Sequence, residues 1–173
     1  GQGNQSIYLQ ITRGETPIRN HGFPKEHHPT IFIMSMPVTV PDTGFTLPEE
    51  GVVAITMPDI RWLRCDIKSI SLLPNILSQQ EAIEKGADEA ILVRDEMVTE
   101  CAAANVFMVK NGILVTPPLS HLILGGVTRD MVIALAEENG ISVQQRPIMK
   151  LELYSADELW ITSSTRDIAP VTM

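Results

Sequence analysis

The sequence predicts a mixed α/β or α+β domain built on a substantial sheet. About eight or nine segments carry strand patterning, only two read as good helices, and the two kinds do not alternate regularly along the chain. That arrangement excludes a doubly wound nucleotide fold, which needs strand–helix alternation.

The elements follow in order. Ser6 to Thr12 sets Ile7, Leu9 and Ile11 against Tyr8, Gln10 and Thr12, which predicts a strand with one face buried. Gly14 to Pro24 is a loop centred on Arg19-Asn20-His21, and Thr30 to Met36 is a second strand. Pro37, Pro41 and Pro48 make the stretch from Pro37 to Pro48 a connection, since proline is unfit for central strands. Gly51 to Met57 and Ile60 to Cys65 read as two strands broken by Pro58-Asp59. Leu73 to Lys85 is a helix, with Pro74 in its first turn, Gly86 as its stop, and Leu73, Ile76, Leu77 and Ile83 along its inward face. Glu89 to Arg94 and Met97 to Glu100 are strands joined by an Asp95-Glu96 turn. Asn105 to Val109 and Ile113 to Thr116 flank Asn111-Gly112, the strongest hairpin signal in the chain. Thr128 to Asn139 is a helix with Met131, Val132, Leu135 and Ala136 inward and Gly140 beyond its end. Ile141 to Ile148 is strand-like, Leu151 to Ala156 a short helix, and Leu159 to Ser163 the last strand.

Composition bounds the function. Hydrophobic residues make up 44% and charged residues 20%, ample for a core. The net charge of −8 argues against a nucleic-acid partner, because phosphates need local positive charge. No apolar run approaches the ~20 residues of a membrane span. Cys65 and Cys101 make no disulfide framework, and the four histidines do not fall at zinc spacing, so no metal is expected and a reducing cytoplasm is the expected compartment. The polar start, residues 1–5, reads as an inter-domain linker, and residues 6–173 as one domain of a longer chain.

Four features carry chemistry. Lys68, between apolar segments, would neutralise if buried and act as an amine nucleophile toward an aldehyde; a surface lysine at a strand end has the same local signature. Gly125-Gly126-Val127-Thr128 runs into a helix start, where free N–H groups suit a phosphate, with Thr128 as a candidate cap; a plain capped helix would read alike. Ser163-Ser164-Thr165 sets three hydroxyls at a strand end, as donors to an anion or as an ordinary turn. Glu100, beside Cys101-Ala102-Ala103-Ala104, is a carboxylate that needs a partner if buried. Together these give an amine, a carboxylate and two anion-type loops.

From about Ser6 to Val171 the chain resembles the fold-type IV pyridoxal-phosphate aminotransferase family, most nearly its D-amino-acid-specific members. The matching segments are Arg13-Gly14 with Arg19-Asn20-His21, Arg61-Trp62-Leu63-Arg64-Cys65-Asp66-Ile67-Lys68-Ser69, Val98-Thr99-Glu100, Asn105-Val106-Phe107, Val127-Thr128-Arg129-Asp130 and Thr162 to Thr165. The resemblance implies a large C-terminal cofactor-binding domain with a mixed, barrel-like sheet and flanking helices, without the family's small N-terminal domain and its extreme C-terminus. It implies pyridoxal 5′-phosphate as cofactor, with Lys68 as the Schiff-base and proton-shuttling lysine, Glu100 at the ring nitrogen, and Val127, Thr128 and Ser164 at the phosphate. Arg19 and His21 would trap the substrate carboxylate, with Ser163 and Thr165 beside the substrate. The implied reaction is transamination of D-amino acids to 2-oxo acids, with 2-oxoglutarate or pyruvate as acceptor, in a homodimer. The Cys101–Ala104 segment departs from the glycine and serines of the D-specific enzymes and is more similar to aminodeoxychorismate lyase, the second reading. A branched-chain aminotransferase follows, and a non-enzymatic domain of this fold is the last.

Overall fold

The computed structural model describes residues 3–38 and 51–172, and the chain divides into two units, Gly1–Phe45 and Thr46–Met173. In the first unit, β1 (Gln5–Thr12) and β2 (Thr30–Pro37) pair antiparallel from Gln5↔Pro37 to Thr12↔Thr30. The expected buried face is not formed within this unit. Ile7, Leu9 and Ile11 are 73%, 56% and 63% exposed, because a lone two-stranded sheet has no second layer of its own unit to pack on. The loop from Gly14 to Pro24 is as expected. Gly14 has φ +94°, and a Cβ there would lie 1.9 Å from the His28 carbonyl oxygen, so only glycine fits. Pro37 ends β2, while Pro41 and Pro48 lie outside the described residues.

The second unit is one eight-stranded mixed sheet. Its strands are β3 (Val52–Pro58), β4 (Glu89–Arg94), β5 (Met97–Cys101), β6 (Asn105–Lys110), β7 (Ile113–Thr116), β8 (Val143–Gln145), β9 (Glu158–Ser163) and β10 (Asp167–Thr172), in the order β5-β4-β3-β10-β9-β6-β7-β8. The β3–β4, β3–β10 and β7–β8 pairs are parallel and the others antiparallel. The two outer edges come back together. Met97 on β5 bridges Met149, the Val98 N–H donates to the Ile148 carbonyl at 2.9 Å, and the Lys150 N–H donates to the Glu96 carbonyl at 2.8 Å. The sheet therefore curls into the barrel-like core that the sequence suggests.

Two-residue periodicity sorts the strands' side chains into layers. Ile91, Val98, Val106, Met108, Val115, Ile161 and Ala169 form the inner cluster, closed by Ile148 and Leu153 of the segment holding α3 (Lys150–Leu153). Their neighbours point outward. Leu92 and Ala90 pack with Ala82 of α1 (Leu73–Glu84), and Phe107 and Leu114 pack with Val132, Ile133 and Ala136 of α2 (Val127–Glu138).

The structure corrects four expectations. Ile60–Cys65 is not a strand. β3 ends at Pro58, and Arg61 turns its guanidinium inward to Asp59, Thr99 and Glu100, which takes its backbone off the ladder. The inward face of α1 is Ser78 and Ala82, whereas Leu73, Ile76, Leu77 and Ile83 are all more than half exposed. On α2, Val132 and Ala136 are buried as expected, but Met131 and Leu135 are exposed and Ile133 and Arg129 take their place. Finally, β10 is an additional strand. Its Pro170 sits where the ladder changes partner, from the last pair with β9 (Pro170↔Trp160) to the first with β3 (Val171↔Val52), so its missing N–H is tolerated.

Candidate active site

Arg61 is the buried centre of the site, 7% exposed. Its Nε and Nη2 donate in parallel to Asp59 Oδ1 and Oδ2, each at 2.9 Å. Nη2 also reaches the Leu122 carbonyl at 3.1 Å, and Nη1 is paired with Glu100 Oε1. Arg94 backs the cluster, with Nη2 at 2.7 Å from the Arg61 carbonyl and 3.2 Å from Asp59 Oδ1. Burial works against the Arg61 charge, but Asp59 and Glu100 outweigh it and hold the guanidinium firmly protonated. Asp59 sits below the usual carboxylate range, since the Arg61 hydrogen bonds and charge overcome the cost of burial.

Glu100, at the end of β5, is 6% exposed. Its Oε2 accepts the Leu124 N–H at 3.1 Å and Asn105 Nδ2 at 3.3 Å. Burial holds this carboxyl above its ordinary value, and Arg61 and the Leu124 N–H offset only part of that rise. Every partner it has is a donor, so the geometry is that of an ionised carboxylate. Of its roughly four acceptor positions one is left for a further donor.

Asn105 joins the remaining pieces. Its Nδ2 also donates to the Leu124 carbonyl at 2.9 Å, fixing the loop before α2. A Cβ on Gly126, the N-cap of α2, would lie 2.1 Å from Asn105 Oδ1, so the helix start rests directly on that side chain. Thr162 pairs with Asn105 across the β6–β9 ladder, which sets the turn carrying Ser163, Ser164 and Thr165 beside the same residue. The two anion-type loops thus meet at Asn105, next to Glu100. Thr128 does not cap α2 as expected. Among the described residues no side chain does, so the first N–H groups, those of Val127 and Thr128 among them, have no side-chain acceptor there. Arg129 anchors this helix start instead, 1% exposed, with Nη2 on the Pro117 carbonyl (3.1 Å) and Gln145 Oε1 (2.9 Å).

Lys68 lies in the loop between β3 and α1 and is exposed. This loop is tied to the rest at two places. Arg61 binds it to Glu100 and Leu122, and the Cys65 N–H donates to the His121 carbonyl at 2.8 Å. The desolvation expected around the lysine is not supplied by this unit, and neighbouring Ile67 and Ile70 are exposed as well. Both thiols are free, and burial raises each, Cys101 well above its ordinary value, so neither is a thiolate nucleophile at neutral pH. Arg19 and His21 are exposed in the first unit, on a loop held by Asn20 Oδ1 accepting the Gly22 N–H at 3.2 Å. They are not in the unit that carries Lys68, Glu100, Val127, Thr128 and Ser164. No cluster of metal-ligating side chains occurs among the described residues.

The family model for amino-transferase class IV matches residues 1–173. This chain belongs to the class IV aminotransferase family. It is 44% identical over 166 residues to a D-alanine aminotransferase of Bacillus licheniformis, covering 96% of this chain and 57% of that protein. It therefore spans little more than half the length of that relative. Among solved structures of the fold, a fold IV-transaminase from Curtobacterium pusillum superposes with a TM-score of 0.80 at 28% identity, covering 99% of this chain and 57% of that one. The PLP form of a branched-chain amino acid aminotransferase from Thermobaculum terrenum gives 0.79 at 27% identity, covering 95% and 55%. The fold expected of the family, fold type IV, is the fold observed.

Sequence reasoning about this class IV chain assigned no role to Arg61, Asp59 or Asn105, although Arg61 and Asn105 stand in the matched segments. A signal existed for the first two. Asp59-x-Arg61 sets opposite charges on one side of an extended backbone just after an apolar strand, where neither is at home unpaired. Asn105 had no such signal, because an asparagine opening a strand carries no charge that demands a partner, and the Leu124 carbonyl that fixes it lies 19 residues away.

Proposed function

We propose that the full protein transaminates D-amino acids to 2-oxo acids with pyridoxal 5′-phosphate, using 2-oxoglutarate or pyruvate as acceptor. In this reading Lys68, Glu100, Val127, Thr128 and Ser164 hold the cofactor, and Arg19, His21, Ser163 and Thr165 face the substrate. Residues 6–173 form its cofactor-binding part and residues 1–5 a linker. The observation that carries the reading is the convergence on Asn105 of an ionised, donor-hungry Glu100, an uncapped helix start and a turn of hydroxyls. The D-alanine aminotransferase relative supports the choice of D-substrates.

The residues fit the cofactor. Glu100 has one acceptor position to spare for a ring N–H, and the Val127 and Thr128 N–H groups with the Ser164 hydroxyl are donors suited to a phosphate. Bound pyridoxal phosphate supplies an electron sink for the pair left at the substrate Cα. With the cofactor bound, Glu100 would hold a proton on its ring nitrogen, and the Arg61 ion pair would favour the anionic form of Glu100. Lys68 Nζ would take the proton from the substrate Cα and deliver it to the cofactor carbon that carried the substrate nitrogen. Arg19 binds the substrate carboxylate with its planar fork, with His21 beside it. The protein works as a homodimer in the cytoplasm.

The absorption spectrum of the full-length protein with pyridoxal phosphate tests this. D-alanine is expected to convert the bound-cofactor band to the pyridoxamine form while L-alanine and L-leucine leave it unchanged, and Lys68→Ala is expected to lose the covalently bound band altogether. Conversion by L-leucine instead would move the protein to the branched-chain enzymes. The Cys101-Ala102-Ala103-Ala104 segment favours one rival, the lyase, which predicts pyruvate release from aminodeoxychorismate without an amino acceptor.

A further inference from the structure

Glu89 opens β4 with its carboxylate sealed from water, 2% exposed. Oε1 accepts the Ala90 N–H at 3.2 Å, and Oε2 meets Arg166 Nη1 at 3.4 Å. A carboxylate removed from water is costly unless paired, so these contacts are what keep it in place. The ion pair leads to the hydroxyl turn, where Arg166 follows Thr165. Arg166 is held from both ends, since its own N–H donates to Ser163 Oγ at 3.2 Å and its guanidinium is tied to Glu89. The next residue, Asp167, stands at φ +50°, a left-handed conformation uncommon for a side-chain-bearing residue and one that surrounding contacts must hold. Among the described residues Glu89 makes no hydrogen bond or ion pair to the Arg61 cluster.

We propose that Glu89 is a positioning residue for the anion end of the cofactor site, holding the Ser163–Thr165 hydroxyls in phosphate-binding register through Arg166. The proposal rests on the function proposed above. Ser164 and Thr165 are exposed, and hydroxyls on an unrestrained turn lose entropy on binding an anion. A turn fixed beforehand avoids that loss. Arg166 spends its charge on Glu89, so in this arrangement it shapes the turn and is not itself the phosphate ligand.

The test titrates the full-length, cofactor-free protein with pyridoxamine 5′-phosphate and with pyridoxamine, the same ring without the anion. Neither ligand needs a covalent bond to Lys68. Glu89→Gln and Arg166→Ala are each expected to weaken pyridoxamine 5′-phosphate by about tenfold or more while leaving pyridoxamine within about twofold, and Arg166→Lys to recover part of the loss. Tighter binding of pyridoxamine 5′-phosphate by Glu89→Gln would overturn the proposal, because it would mean that a freed Arg166 binds the phosphate directly. Equal losses for both ligands, or none, would also overturn it and would leave the transaminase reading standing. A wild-type protein that does not distinguish the two ligands has no phosphate site, and both readings then fall. Arg166→Ala, at the exposed end of the pair, carries the test if Glu89→Gln does not fold, with far-UV circular dichroism as the check.

Discussion

Arg61 places one full charge between two carboxylates in a region closed to water, and each of the three depends on the other two. Removing one partner of such a group leaves an uncompensated buried charge and costs about 3–5 kcal/mol. Asp59→Asn is expected to destabilise the protein by about 3 kcal/mol at pH 7, measured by urea unfolding. Gly126 makes a different kind of demand. Its φ is −74°, so its backbone suits any residue, and the constraint is the Asn105 amide packed against it. Gly126→Ala is expected to displace Asn105 from Glu100 and Leu124 at a cost of about 1–3 kcal/mol, the usual range for overpacking. A melting temperature equal to wild type would show that the side chain moves freely.

At the scale of elements, helix α1 reverses the side the sequence assigns to it. Its large apolar residues Leu73, Ile76, Leu77 and Ile83 are exposed, while Ser78 and Ala82 are buried, Ala82 against the Ala90 and Leu92 layer. Small residues let the helix approach the sheet closely, and Ala82 is fully buried there. Ala82→Leu is therefore expected to destabilise by about 1–3 kcal/mol, and Leu77→Ser to stay within about 0.5 kcal/mol, by thermal unfolding of the full-length protein. The reverse order would restore the inward face that periodicity suggested. The two tight hairpins behave as their residues require. Asp95 and Glu96 take φ 50° and 62°, and Asn111 and Gly112 take 51° and 73°, the left-handed pairs that match strand twist. Asn-Gly announces such a turn, whereas Asp-Glu does so only through the apolar runs on either side.

For the whole molecule, the cluster around Arg61 ties the β3–α1 loop, β5 and the loop before α2 into one piece, so its charge state bears on the stability of that piece. The Asp59 carboxyl is held below its ordinary value, so the native state binds fewer protons than the unfolded one as pH falls. Its contribution is complete above the unfolded value near ~3.9 and is lost as pH falls through the lower folded value. Urea-unfolding free energy is expected to drop below about pH 4, and Asp59→Asn to remove part of that drop, so that the two proteins converge in acid. Parallel curves at every pH would show that Asp59 titrates normally.

Local chemistry and period decided most of the strands, the extent of both long helices and the hairpins in this chain, because those depend on neighbours within a few residues. The sequence also marked Lys68, Glu100, the glycine-led helix start and the hydroxyl run. The tertiary structure alone decided which face of α1 is buried, that Ile60–Cys65 leaves the sheet, that the Ile168-Ala169-Pro170 run becomes β10, and that the edges meet at Met97 and Met149. It also decided that Asn105 is the point where Glu100, α2 and the hydroxyl turn come together. The reason is the same in each case. A side chain's own period says that it needs a partner, but a partner dozens of residues away exists only once the sheet has curled and brought it there.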